Sequence, residues 1–194
     1  MPRSYTTLAI AMTAMLFILP SDGSANADLQ EEVEFVGFSK KEKVFCVRVI
    51  DPNRGNYFSV RKTRTGKKIK DHPYHEDNEK RVLKRLLKAH SIDDEGVPNA
   101  ASPDGSVTLV GTQKGAQFEI LALASDGRGV LQTIELETDA DTGNPAQASL
   151  KSVIWSSNGK VVVLIVHQAL SGSFIAKRDH VFVQRYRAWK VQWQ

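Results

Sequence analysis

A single cysteine in 194 residues leaves no partner for an internal disulfide, so the fold must be held by packing even in a compartment that would allow bridges. In KVFCVRVI that residue, Cys46, sits inside an apolar run, which reads as a buried small hydrophobe rather than a reactive thiol. Beyond the first 27 residues no stretch is apolar for the roughly 18 to 20 residues that a membrane-crossing helix requires. The short motifs of the common enzyme classes are also missing. There is no G-x-S-x-G elbow for a nucleophilic serine and no metalloprotease histidine spacing, and TRTGKKIK lacks the first glycine of a phosphate-cradling loop. These absences remove the motif-bearing hydrolases and nucleotide-binding folds and name no catalytic residue.

The N-terminus carries the first positive signal. Arg3 precedes the apolar run LAIAMTAMLFIL, and a polar stretch then ends in Ala25-Asn26-Ala27, the layout of a cleavable secretory signal peptide over residues 1–27. Cleavage would remove one cation, Arg3, and one anion, Asp22, so the remaining 28–194 keeps the formal net charge of +4. No cysteine adjoins the cleavage point, so a lipid anchor there is not expected. Localisation is therefore expected to be secreted or periplasmic, with one β-rich domain in the mature chain and no transmembrane segment.

Three segments share one layout. FSKKEKVFCV from Phe38, ASPDGSVTLV from Ala101 and WSSNGKVVVL from Trp155 each place a serine second, polar or turn residues third to sixth, and an apolar run from the seventh. Asp104-Gly105 and Asn158-Gly159 predict two-residue hairpin turns with positive φ. Glu42-Lys43 replaces that dipeptide in the first copy. A second reversal follows each: DPNRGN at 51–56, DGRG at 126–129, and ALSGSFIAKRD before the return strand HVFVQRYRAWKVQW. In that return strand Val181, Val183, Arg185 and Arg187 alternate with Phe182 and Tyr186, with Trp189 two residues after Arg187, a pattern close to that of a two-faced strand. The units span about 33–70, 98–137 and 150–194, each of roughly four short strands.

Short strand, Ser-Pro-Asp-Gly, long strand and hairpin resemble the blade repeat of β-propellers of the Tol-associated and WD type. Ser102-Pro103-Asp104-Gly105 matches that repeat, and Trp155-Ser156-Ser157-Asn158-Gly159 matches it with two conservative changes. The overall layout, a leader and then degenerate blade motifs, resembles predicted secreted bacterial proteins of unassigned function. The resemblance implies a mainly β fold of antiparallel sheets built from three blade-like repeats. Three are too few for a closed ring, so an incomplete propeller or a sandwich is expected.

One helix interrupts the β pattern. In EDNEKRVLKRLLKAH, residues 76–90, Val82, Leu83, Leu86 and Leu87 fall on one face, and Lys80, Arg81, Lys84, Arg85 and Lys88 cover the other. Acidic residues open it and cations close it, as the helix dipole prefers.

Three groupings bear on function. Arg61, Lys62, Arg64, Lys67, Lys68 and Lys70 crowd one hairpin; with Arg81, Lys84, Arg85 and Lys88 of the helix they predict an anion-attracting surface, and Arg185, Arg187 and Lys190 add cations near the end. For an exported chain the fitting partners are an envelope protein, an acidic polymer or an anionic lipid surface, and nucleic acid fits poorly. His72, His75 and Glu76 in DHPYHEDNE are weak metal candidates, because Pro73 favours extended backbone at His72 and a capped, solvated loop explains the cluster. In DADTGNPAQASL from Asp139 the calcium-loop pattern fails twice, at the glycine and at Leu150, leaving a plain surface connection. No cofactor is expected, and His167 and His180 read as strand histidines. Three functions stay open: a non-enzymatic binding domain, an assembly module pairing through an open sheet edge, and a metal-dependent hydrolase.

Overall fold

The computed structural model describes residues 29–170 and 176–186. The expected leader, and the cations and tryptophans at 187–194, lie outside them. The chain is mainly β with one helix. Its elements are β1 (Leu29–Ser39), β2 (Val44–Ile50), β3 (Tyr57–Lys62), β4 (Lys68–Pro73), α1 (Glu79–His90), β5 (Ile92–Asp94), β6 (Val97–Pro98), β7 (Val107–Lys114), β8 (Gln117–Ala124), β9 (Gly127–Glu135), β10 (Gln147–Trp155), β11 (Val161–Leu170) and β12 (Ala176–Arg185). Nine strands form a mixed sheet in the order β4-β3-β2-β1-β12-β11-β10-β6, with β5 added to β1, and β7-β8-β9 form a second sheet.

The serine-led turn recurs as a physical object. In each copy the residue three after the serine donates its N–H to the serine carbonyl: Glu42 to Ser39, Gly105 to Ser102, Gly159 to Ser156. The residue five after it donates to the serine Oγ, from Val44 at 3.2 Å, Val107 at 3.1 Å and Val161 at 3.1 Å. The first and eighth positions pair across every turn, as Phe38 with Phe45, Ala101 with Thr108 and Trp155 with Val162. The expected two-residue turns are not what forms. Only one residue per loop takes positive φ: Gly105 and Gly159 at 70° and, without glycine, Glu42 at 50°. Asp104 and Asn158 instead turn their side chains back to accept the N–H two residues on.

The propeller resemblance ends at that turn. Blades are separate sheets that follow one another in chain order around an axis. Here β1 pairs with β12 in parallel through Leu29–Glu31 and only then crosses to β2 at Glu32, so the first and third units share one sheet. The third unit also lies between the other two. On β11, Val162, Leu164 and Val166 pack against β7 and β8, while Val161, Val163 and Ile165 pack against β1 and β2. The described sheets close into neither a propeller nor a barrel.

That sandwiched position accounts for the sequence VVVLIV. A strand covered on both faces has no solvent side, so alternation disappears and the run becomes continuously apolar. Strand β2 obeys the same rule one layer further out. Phe45, Val47 and Val49 face β11, while Val44 and Cys46 face the helix. Four layers result: α1, the β1–β4 part of the large sheet, its β10–β12 part, and β7–β9.

The helix starts three residues later than its periodicity predicts. Asn78 precedes it and spends its side chain on the His75 N–H at 3.0 Å, so 75–78 close a turn and Glu76 and Asp77 stay outside. Leu86 is buried, and Val82, Leu83 and Leu87 pack beside it over Cys46, Phe58, Val60, Tyr74 and Ile92. The buried Cys46 thiol is pushed up to about 12 by burial. It should therefore stay unmodified by an aromatic disulfide reagent at neutral pH and titrate fully, one thiol per chain, once denaturant is added. Rapid modification of the native protein would contradict this packing.

Candidate functional site

The cations on α1 are set outward because its leucines are set inward. Lys80, Arg81, Lys84, Arg85 and Lys88 are exposed, and none makes an ion pair with another described residue. The one acid in the helix, Glu79, turns toward the sheet, where Arg48 holds it at 3.1 Å. Arg48 also bonds Glu34 at 2.9 Å and the Tyr74 hydroxyl at 2.7 Å, and the hydrogen bonds from Tyr74 and Glu34 raise its pKa above the ordinary arginine value. The outer helix face is left with one sign of charge.

The β3–β4 ladder divides the hairpin cations. Val60 lies opposite Lys70, and Val44 opposite Lys62, on the side that the helix covers. A register shift after Val60 sets Arg61 opposite Lys68 on the other side. Lys62, Arg64, Lys67, Lys68 and Lys70 are exposed, and Lys68 is paired with Asp71 at 2.8 Å. Arg61 is half-buried; burial lowers its pKa against the opposing pull of Tyr57, Glu31 and Asp71. Arg61 therefore does not belong to an outward basic surface. Lys62 and Lys70 thus share the helix side of the sheet, and Lys68 lies on the other.

The weak metal candidates are not assembled. His72 lies on extended β4 opposite Phe58, its ring edge-on to His90 with centroids 6.2 Å apart. Burial first, then Lys70 and His90, lower its pKa. His75 and Glu76 are exposed in the turn before the helix. Among the described residues no group of three or more histidine, cysteine or acidic side chains is placed to hold a metal. The Asp139 carboxylate closes its own loop, accepting from the N–H groups of Asp141 and Thr142 and from the Thr142 hydroxyl.

The structure also assembles a cluster that motif reading missed. Ser149 on β10 lies opposite His167 on β11, and His167 lies opposite Asp179 on β12. His167 Nδ1 sits 2.8 Å from Asp179 Oδ1, and Lys151 Nζ donates to Asp179 Oδ2 at 2.7 Å and to Glu32 at 3.1 Å. Lys151 is the extra residue where the β10–β11 register shifts between Leu150 and Ser152, the kind of bulge that re-aims a side chain. The Asp179 side chain is fully buried and also accepts the Val33 N–H at 2.8 Å. These groups line a shallow cleft of about 490 Å³ with Gln30, Glu31 and Lys177.

Serine, histidine and aspartate in one row invite comparison with a nucleophilic triad, which needs the serine hydroxyl bonded to the imidazole. Among the described residues no hydrogen bond joins Ser149 to His167, and Asp179 is already neutralised by Lys151. The carboxylate instead receives the Val33 N–H where β1 leaves β12 for β2, so the cluster is a clasp at a strand crossing.

A second groove, about 640 Å³, runs between β7 and β10. The Gln113 amide bridges it like a ladder rung, donating to Ala146 O at 2.9 Å and accepting from Ala148 N at 2.9 Å. No described helix is long and apolar enough to cross a membrane. Comparison of the chain with protein-family models, curated proteins and solved structures returned no match.

Proposed function

We propose that this is an exported, non-enzymatic β domain whose helix face binds an acidic polymer of the cell envelope. The observation that carries the reading is the outer face of α1: five exposed cations, with the one acid of the helix drawn inward to Arg48. Positions 80, 81, 84, 85 and 88 bring like charges together at i,i+3 and i,i+4 spacing, which costs an isolated helix about 0.2–0.5 kcal/mol per pair. A bound polyanion removes that repulsion, so binding and helix stability reinforce each other. The leader layout supplies the export half of the reading.

Heparin serves as the probe. Retention should fall steeply with added salt, because each released counterion contributes to the slope. Replacing Arg81, Lys84, Arg85 and Lys88 together by glutamine should reduce affinity by on the order of a hundredfold while the circular dichroism spectrum stays unchanged. Equal retention by that variant would reject the helix as the site. Preference for vesicles of anionic phospholipid over heparin would move the partner from polymer to lipid surface.

A further inference from the structure

We infer that two copies of this chain join edge to edge through β9, in antiparallel register, to make one six-stranded sheet β7-β8-β9-β9-β8-β7. The inference starts from how the free edges differ. The β4 edge carries Lys68, Lys70 and Pro73, residue types that keep an edge from pairing, and β6 is two residues long. Strand β9, GRGVLQTIE, is nine residues long, contains neither lysine nor proline, and pairs only with β8 among the described residues.

The backbone of β9 is already set for a partner. The Leu136 N–H donates to Ala116 O, and that bond fixes the alternation: residues 132, 134 and 136 turn their amides to β8, while 133 and 135 turn theirs outward. The register shift between Ile120 and Leu121 puts one extra residue into β9, so beyond it the outward positions are 128 and 130. The same four residues, Arg128, Val130, Thr133 and Glu135, are the exposed ones of the strand. This set is symmetric about the point between residues 131 and 132.

A two-fold axis at that point pairs Arg128 with Glu135 of the second copy and Val130 with Thr133, twice over. In this register every outward amide meets an outward amide and every exposed side chain meets one on its own face. A slip by one residue breaks both matches. The charges agree with it as well. Arg128 makes no ion pair with a described residue, and Glu135 accepts only the Gln117 amide, at 2.7 Å on one oxygen, leaving the other available. An edge meant to repel itself would carry one sign of charge; this one carries opposite signs at positions that meet. Val130, half exposed at 50%, lies on the same outer face as Leu121 and Leu123 and gains cover from the second copy. The helix lies at the far end of the layers, so this contact and polymer binding do not compete.

Sedimentation velocity over a range of protein concentrations tests it. A reversible monomer–dimer equilibrium is expected, with the Val130 and Thr133 amides slowing their hydrogen exchange as the dimer fills. Arg128→Glu alone and Glu135→Arg alone should each weaken dimerisation by about tenfold or more, since like charges then face each other at both ends. The double variant R128E/E135R should restore it. Both residues are exposed, so the variants keep the fold, which circular dichroism checks. A monomer at every concentration, a dimer indifferent to either single reversal, or a double variant that fails to recover would overturn the inference.

Discussion

Trp155→Ala is expected to cost about 3–5 kcal/mol of stability, the range for deleting a buried tryptophan from a core that cannot collapse around the gap. Trp155 has no exposed surface and stands among Val107, Leu109, Phe118 and Val162, where the sheet β7–β9 meets β10–β12. Its ring lies edge-on to Tyr186 at 5.6 Å, and its Nε1–H donates to Asn99 O at 3.0 Å, tying the segment that carries the chain from β6 to β7. Collapse is blocked from the other side too. Gly96, at φ 71°, packs so closely that an added Cβ would stand 2.5 Å from Ile154 Cγ2 and 2.9 Å from Trp155 O. Chemical denaturation should show the loss as a lowered midpoint with an unchanged slope. Trp155→Phe should lose less, because it keeps the ring contact and gives up the bond to Asn99. A loss below about 1 kcal/mol for the alanine variant would show that this interface is not packed as described.

Much of that core was legible before any coordinates. The apolar run after each serine-led turn marked β2, β7 and β11, and the alternation from Val181 to Phe182 placed their side chains on opposite faces of β12. The leucine face of the helix was legible for the same reason: local period follows from which side meets the core. The order of the layers was not. Whether the third unit follows the second, as in a propeller, or slides between the other two is decided by the parallel pairing of Leu29–Glu31 with Ala176–Arg178. Those partners lie about 147 residues apart and carry no local mark. Three similar turns therefore marked where β2, β7 and β11 begin and gave the wrong global likeness.

The clasp was hidden for a related cause. Ser149, His167 and Asp179 meet because two successive ladders place them directly opposite, and Lys151 reaches the carboxylate only through a bulge. No spacing rule covers such a row. The hairpin registers, had they been assigned first, would have lined the three up. The basic hairpin shows the reverse relation, since strand alternation and the shift after Val60 divide a dense run of cations in sequence between the two faces of the sheet.

Asp179→Ala should be the most damaging polar substitution, at about 2–4 kcal/mol, because it leaves the Val33 N–H without an acceptor where β1 changes partners and strands Lys151 and His167 at the clasp. The Lys151 and His167 side chains are 31% and 36% exposed and can turn to water, which keeps the loss below that of a wholly buried charge pair. Its pH dependence identifies the group. Burial alone would raise the Asp179 pKa, but hydrogen bonds from Lys151, Val33 N and His167 outweigh it and hold the carboxyl below the ordinary value. A lowered folded pKa means stabilisation present above the unfolded value, about 3.9, and lost as pH falls through the folded one. His180 contributes earlier on the same limb. Burial, then Arg178, lowers its pKa, so its share is present above about 6.5 and fades as pH falls through its folded value. On the alkaline side Cys46 and Tyr57, both pushed up to about 12 mainly by burial, contribute stability below their ordinary ionisation that is lost as pH rises toward that value. The wild-type curve should thus step down twice on acidification, first from about pH 6.5 and again below about pH 4. Asp179→Ala should make the second step smaller and keep the first, with Asp94, Asp104 and Asp139, whose carboxyls hydrogen bonds also hold below the ordinary value, carrying the rest, whereas Lys151→Met should weaken the second step less than the alanine variant does, because Val33 and His167 still bond the carboxylate. An alanine variant whose acid limb below pH 4 runs parallel to the wild type would show that the carboxylate at the β1 crossing is not what holds these strands together.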